Sequence, residues 1–293
     1  MNLAIDIGNT SIKKVTFLEN SIGSTRKIRY SKRKLSEIKA FFSKDLQKYK
    51  NISICSVVPE VDEYLKKTFS NKKNFYFIQK RLLKSFVHSS VNLRQLGIDR
   101  MINVLSVNHL FPNKEDFIII DLGTATTLDI VKKNKYFGGV ILPGLTTSYA
   151  NLVDLASGIK KIKLENSNKV FGKNTKDALL SGFNTGYKTM IDGYIKIIKR
   201  KFNSNFKVIF TGGYADLFKT SIIRPFKIDK NITIQGIIEI FKGKKDTFYN
   251  TVCANAAFGI LINQSEDLNE KNIFLFANNI ITQCLWRLPR LPL

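Results

Sequence analysis

The sequence has little of what several function classes need. Its 293 residues include three cysteines, Cys55, Cys253 and Cys284, far apart and without a C-x-x-C spacing. That argues against a disulfide framework or a cysteine zinc site and fits a reducing compartment. Only two histidines occur, His88 and His109, which leaves a His-rich metal centre or a Ser-His-Asp triad with little support. No apolar run reaches 18 residues, so no membrane span is expected. Asp6 falls where a signal peptide would carry its apolar stretch, so export is not expected and a cytoplasmic protein is. Neither a G-x-x-x-x-G-K-[ST] loop nor an H-R-D sequence is present, which excludes the P-loop and protein-kinase signatures. Acidic residues are also scarce, 23 against 47 lysines and arginines, for a net charge of +24. The lysines are scattered and no aromatic-interleaved basic motif accompanies them, so a solvated basic surface is expected and a nucleic-acid partner is not. Such a field would still attract anionic small molecules.

The chain is long enough for two domains with real cores, and one self-similarity points to two. Residues 3–17, LAIDIGNTSIKKVTF, read as strand, tight turn, strand; residues 117–132, FIIIDLGTATTLDIVK, read the same way. In each, an apolar run ends in Asp, followed by one apolar residue, Gly, and short hydroxyl or amide residues. Asp6 and Asp121 lie too far apart for a solenoid repeat. A duplicated α/β domain is expected, divided as residues 1–114 and 115–245, with one phosphate-facing hairpin in each half. Residues 246–293 contain three basic and four acidic residues, unlike the rest, and are expected to form an extension of unassigned role.

Further elements can be placed. ISICSVVP (52–59) is a buried strand stopped by Pro59, whereas YFIQKRLLKSF (76–86) is ambiguous. Residues 97–111 suit a helix with Ile98, Met101, Ile102, Leu105 and Leu110 largely on one face. YFGGVILPG (136–144) is a strand running into a turn. A long helix starts at Asn174-Thr175, with a side chain available for its N-cap, and keeps Leu179, Phe183, Tyr187, Ile191, Tyr194 and Ile198 on one side. FKVIFTGG (206–213) is a buried strand ending in a glycine pair.

The chemistry-bearing residues concentrate in the turns. Asp6 at a strand end can hold a divalent cation directly or through water. Gly8 lets phosphate oxygens approach backbone N–H groups, with Asn9 and Thr10 as short donors and Lys13 as a positive charge. A plain Gly-Asn turn is the competing reading. Asp121, Gly123, Thr124, Thr126 and Thr127 repeat the order, and two facing hairpins could grip a polyphosphate from both sides. Asp99, at the expected helix start in the Gly97-Ile98-Asp99-Arg100 segment, can accept a proton from an attacking hydroxyl, and Arg100 can pair with an anion. Both could instead form a capping pair at the first turn. Gly138-Gly139 and Pro143-Gly144 fit either close ligand approach or turn geometry, and Gly212-Gly213 fits an adenosine-contacting loop.

Taken in order, DIGNT (6–10), SVVP (56–59), GIDR (97–100), DLGTATTLD (121–129), GGVILPG (138–144), GKNT (172–175) and TGG (211–213) resemble type III pantothenate kinase, over about residues 3–240. The resemblance implies an α/β fold of two RNase H-like domains of the actin/Hsp70/sugar kinase superfamily, with an interdomain ATP cleft, in a homodimer. It implies transfer of the ATP γ-phosphoryl group to pantothenate, the first step of coenzyme A synthesis. By the family pattern Asp6, Ile7, Gly8, Asn9, Thr10, Ser11, Ile12 and Lys13 line the ATP phosphates, and Thr124 touches ATP. Asp99 is the general base, while Gly97, Ile98, Asp99, Arg100 and Thr175 contact pantothenate. Asp121 binds a monovalent cation, K⁺ or NH₄⁺, and Mg²⁺ accompanies ATP.

One departure bears on the acceptor. The family carries a Y-x-N-P arrangement just before GIDR, where this chain has Ser90-Val91-Asn92-Leu93; Phe86 is a neighbouring aromatic that could substitute. Two alternatives therefore stay open: a kinase for another small hydroxylated substrate, and a nucleotide-binding accessory protein without kinase activity.

Overall fold

The computed structural model describes residues 1–19, 21–30, 35–43, 46–69, 74–83, 87–113, 115–165, 167, 169–220 and 225–242. Phe86, Cys253, Cys284 and the expected extension 246–293 lie outside the described residues. Residues 1–238 form one compact unit, built from two five-stranded sheets and their helices.

The first sheet contains β1 (Asn2–Ile7), β2 (Ser11–Leu18) and β3 (Ser21–Arg29), followed after α1 (Leu35–Ser43) by β4 (Ile52–Ser56). Next come α2 (Pro59–Phe69), β5 (Phe75–Phe77), α3 (Lys80–Leu83) and α4 (Ile98–Leu110). The sheet order is β3-β2-β1-β4-β5, with β1–β2 and β2–β3 antiparallel and β1–β4 and β4–β5 parallel. Pro59 starts α2 as well as ending the strand region, because a first helical residue needs no N–H partner. The ambiguous 76–86 segment holds the end of β5 and all of α3; its last three residues are not described.

The second sheet repeats this plan. Its strands are β6 (Phe117–Leu122), β7 (Ala125–Lys132) and β8 (Lys135–Pro143), then, after helices, β9 (Lys207–Gly212) and β10 (Lys227–Ile228). Read from β8, the order is β8-β7-β6-β9-β10, with the same antiparallel and parallel pairings. The α/β class and duplication expected from the hairpins are present. Each sheet has its own apolar cluster, around Ile5, Ile7, Ile12 and Ile54 in one and Ile118, Ile120, Phe210 and Phe218 in the other.

The long helix begins as expected, with the Asn174 side chain accepting the Asp177 N–H at 2.9 Å. It runs as α5 (Leu145–Leu155) does not, through three segments: α6 (Thr175–Ser181), a π turn (Gly182–Gly186) and α7 (Tyr187–Phe202). Asn184 donates to the Leu180 and Glu165 carbonyls at 2.8 and 3.0 Å, satisfying acceptors where the helix widens. Asn203, left-handed at φ 45°, ends α7.

One expectation needs revision. Instead of burying one face, α4 buries Met101, Ile102, Asn103, Val104, Ser106 and Val107. It packs against both β4 and β7, and the helix beginning at residue 232 crosses it closely. A β-carbon on Gly236 would fall 2.6 Å from the Ile102 carbonyl oxygen. A helix covered on several sides has no polar face for periodicity to reveal.

Candidate active site

Strand geometry brings the carboxylates together. Asp6 and Asp121 occupy equivalent positions near the ends of β1 and β6, the central strands of the two sheets. Asp99 lies in the first turn of α4, which packs between the sheets. All three line one cavity of about 520 Å³, together with Gly8, Asn9, Thr10, Ser11, Lys13, Gly123, Thr124, Thr127, Gly212 and Gly213. The hairpin turns meet across it: the Thr10 and Thr124 hydroxyls are 3.0 Å apart.

The first hairpin is fastened from outside. Tyr30 donates its hydroxyl to the Gly8 carbonyl at 2.6 Å and its amide to the Thr10 carbonyl at 3.1 Å. Two carbonyl oxygens of the turn thus already have partners in the protein. Ile7 and Ile12 pair across β1–β2 and are fully buried, so only their main chain could serve a ligand. Lys13 reaches the other half, donating to the Lys230 carbonyl at 2.7 Å and to Asn231 Oδ1 at 2.5 Å.

Electrostatics set the two hairpin carboxylates apart from ordinary ones. Burial, reinforced by Asp99, pushes Asp6 up to about 6, with Lys13 and Lys27 opposing. Burial, with Asp99 and Asp6 adding to it, pushes Asp121 up to about 7. Burial also lowers the pKa of Lys13, against the pull of Asp6. Among the described residues neither Asp6 nor Asp121 forms an ion pair. Carboxylates enclosed in this way without a direct ion pair hold a proton or a cation. The site therefore fits cations bound beside a polyanion. The three side chains do not form a direct three-carboxylate cage, and Mg²⁺ does not need one, since it keeps water and phosphate ligands.

Other sequence-predicted residues lie elsewhere. Gly97, Ile98 and Arg100 adjoin Asp99 without lining this cavity, and Thr175 is exposed at the start of α6, also outside its lining. The Arg100 guanidinium makes no capping pair with Asp99. Its Nε and Nη2 lie 2.9 and 2.7 Å from Oδ1 of the fully buried Asp129, and Nη2 is 3.2 Å from the Tyr136 hydroxyl. Of the glycines that fit either close ligand approach or turn geometry, Gly139 and Gly144 each have the chain itself as a close neighbour. A β-carbon on Gly139 would meet Arg100 Nη2 at 2.4 Å, and one on Gly144 would meet the Gly123 and Thr124 carbonyls at 2.3 and 2.4 Å.

Sequence reasoning did not single out Lys27, Lys230, Asn231 and Thr233, which also line the cavity. Lys27 pairs with Lys13 across β2–β3, so hairpin register was the available signal. Asn103 carried none. Buried in α4, it donates to Asp121 Oδ2 at 3.4 Å and accepts from Thr233 Oγ1 at 2.8 Å.

A duplicated α/β fold with paired hairpins around a carboxylate-bearing cleft defines a class of nucleotide-phosphate sites, and comparison with known proteins narrows it. Residues 2–197 match the family described as type III pantothenate kinase. A type III pantothenate kinase of Pelagibacter ubique is 40% identical over 246 residues, spanning 80% of this chain and 95% of the relative. One from Persephonella marina is 32% identical over 253 residues, covering 82% and 98%. A solved Campylobacter jejuni structure, described as a Baf family transcriptional activator, superposes with a TM-score of 0.55 at 25% identity, covering 83% of this chain and 99% of that one. The chain belongs to the type III pantothenate kinase family.

Proposed function

We propose that this protein is an ATP-dependent kinase that transfers the γ-phosphoryl group of ATP to the primary hydroxyl of pantothenate, giving 4′-phosphopantothenate and ADP. The observation that carries this reading is the convergence of Asp6, Asp99 and Asp121 on one cavity between two matched hairpins. In this reading the Gly8–Ser11 turn and Lys13 bind the ATP phosphates, Thr124 approaches them from the opposite wall, and the Gly212-Gly213 loop meets the nucleoside side. Lys13 exchanges its Lys230 and Asn231 contacts for phosphate oxygens, because a charged partner makes the stronger hydrogen bond. Asp99 accepts the proton of the acceptor hydroxyl as the new O–P bond forms and the bond to the β-phosphate oxygen breaks. The resemblance supplies the acceptor contacts, Gly97, Ile98, Thr175 and Arg100, the last through the Nη1 donors that its bonds to Asp129 and Tyr136 do not use.

Asp6 is the carboxylate suited to Mg²⁺ and Asp121 the one suited to K⁺ or NH₄⁺; bound there, these cations supply positive charge to the phosphate oxygens. The domain division near residue 114, a homodimer and a cytoplasmic location belong to the same reading. No helix among the described residues is long and apolar enough to cross a membrane.

The test is an ADP-release assay with Mg-ATP and either pantothenate or a panel of sugars, run in K⁺ and in Na⁺. Turnover with pantothenate, faster in K⁺, is expected. Turnover with a sugar alone would move the assignment to another acceptor, the alternative raised by Ser90 and Leu93. Salt-sensitive DNA binding without turnover would favour an accessory protein; the Campylobacter jejuni structure is described as a transcriptional activator.

A further inference from the structure

Gly97 is conspicuous because its backbone does not require glycine. With φ −58° and ψ 146° it caps α4 in a conformation open to any L-residue. What a side chain would meet there is not backbone. A β-carbon would lie 2.5 Å from Asp99 Oδ1, with its next neighbours, Asp99 Cγ and Arg100 Cδ, at 3.7 and 3.9 Å. The same Oδ1 accepts the Arg100 N–H at 2.9 Å. The carboxylate is thus folded back over the first turn, into the space that glycine leaves, with one oxygen spent on a main-chain donor.

We infer that Gly97 is a positioning residue for Asp99. Its missing side chain permits the rotamer in which Oδ1 is tied to the Arg100 amide, leaving Oδ2 as the oxygen that takes the acceptor's proton. This goes beyond the substrate contact expected of Gly97 and rests on the reading of Asp99 as the base. Gly139 and Gly212 make superficially similar room, since their added β-carbons would fall 2.4 Å from Arg100 Nη2 and 2.5 Å from Asp121 Oδ1. Each, however, has a second reason to be glycine: Gly139 would also strike the Leu128 carbonyl, and Gly212 has φ +87°. Among the described glycines, only at Gly97 is the site's own carboxylate the sole close neighbour.

A double-mutant cycle isolates the effect. Gly97→Ala is expected to lower kcat about 10- to 100-fold, as a misplaced reacting group does, with the KM for ATP unchanged. In an Asp99→Ala background, where no carboxylate remains to be displaced, adding Gly97→Ala should lower the residual kcat by a clearly smaller factor than it lowers the parent's, whereas any loss of acceptor contact raises the KM for pantothenate alike in both. Equal losses in both backgrounds would overturn the inference and leave the kinase reading intact. Wild-type protein inert toward pantothenate would instead refute the kinase reading. A crystal structure of Gly97→Ala decides independently of turnover. Asp99 swung off the Arg100 amide is expected, and Asp99 unmoved would refute the positioning role.

Discussion

In the first hairpin the residue facing the carboxylate across the strands is Lys13; in the second it is Thr127. The contrast extends to the parallel neighbours, where Asp6 lies beside Cys55 and Asp121 beside Thr211. Lys13 and Lys27 offset the burial of Asp6, while the hydrogen bond that offsets that of Asp121 comes from Asn103. Two copies of one topology have thus been given unlike linings, lysine-bearing on one wall and rich in hydroxyl and amide groups on the other. In the proposed reading that asymmetry suits a polyanion with its cations: one wall would supply positive charge to phosphate, and the other a carboxylate to hold a cation.

Asp99 belongs to neither hairpin, and its loss should have the largest effect. Asp99→Asn is expected to lower kcat by about 10²- to 10⁴-fold, the range of a positioned general base, with the KM for ATP little changed in steady-state assays. Activity surviving intact would reduce the site to the two hairpins alone. Making the hairpins alike comes next. Lys13→Thr should raise the KM for ATP about 10- to 100-fold, the worth of one or two charge-assisted hydrogen bonds, whereas Thr127→Val should leave it within a few-fold. Equal effects would dissolve the contrast between the walls.

The raised carboxyls make a pH prediction. Asp6 at about 6 and Asp121 at about 7 hold their protons more tightly than the ordinary value of 3.8. Between pH about 4 and about 7 the folded state therefore binds more protons than the unfolded state. Their contribution to ligand-free stability is fully present at the acid end and is lost as pH rises through that window. Melting temperatures across this range should fall by several degrees less in Asp121→Asn than in the parent. A parallel fall in both would show that Asp121 is not held protonated. The smallest change concerns the clasp on the first hairpin. Tyr30→Phe removes the bond to the Gly8 carbonyl and should cost about 1 kcal/mol of stability, read by denaturant melts, with a modest rise in the KM for ATP.

Much of the site was legible because strand-turn-strand segments carry their chemistry locally. Asp6 and Asp121 end apolar runs, and each is followed by a glycine turn, so hairpin, register and cavity-facing carboxylate come from a dozen neighbouring residues. The Asn174 cap and the stripe from Leu179 to Ile198 were readable for the same reason. The π turn within that helix left no trace, since its spacing barely disturbs the apolar side. The α4 pattern misled, because a helix enclosed by two sheets buries positions that solvent would otherwise keep polar.

Sequence alone determined that there are two like hairpins, that each presents a carboxylate beside glycine, and that the family's order of motifs is kept. It did so because bonds between near neighbours are governed by local spacing. Only tertiary structure decided that Arg100 turns to Asp129, that Lys13 crosses to Asn231, that Asn103 reaches Asp121, and that Asp99 fills the space beside Gly97. The first three join residues 18 to 218 positions apart. The fourth depends on one rotamer, which packing sets and sequence does not record.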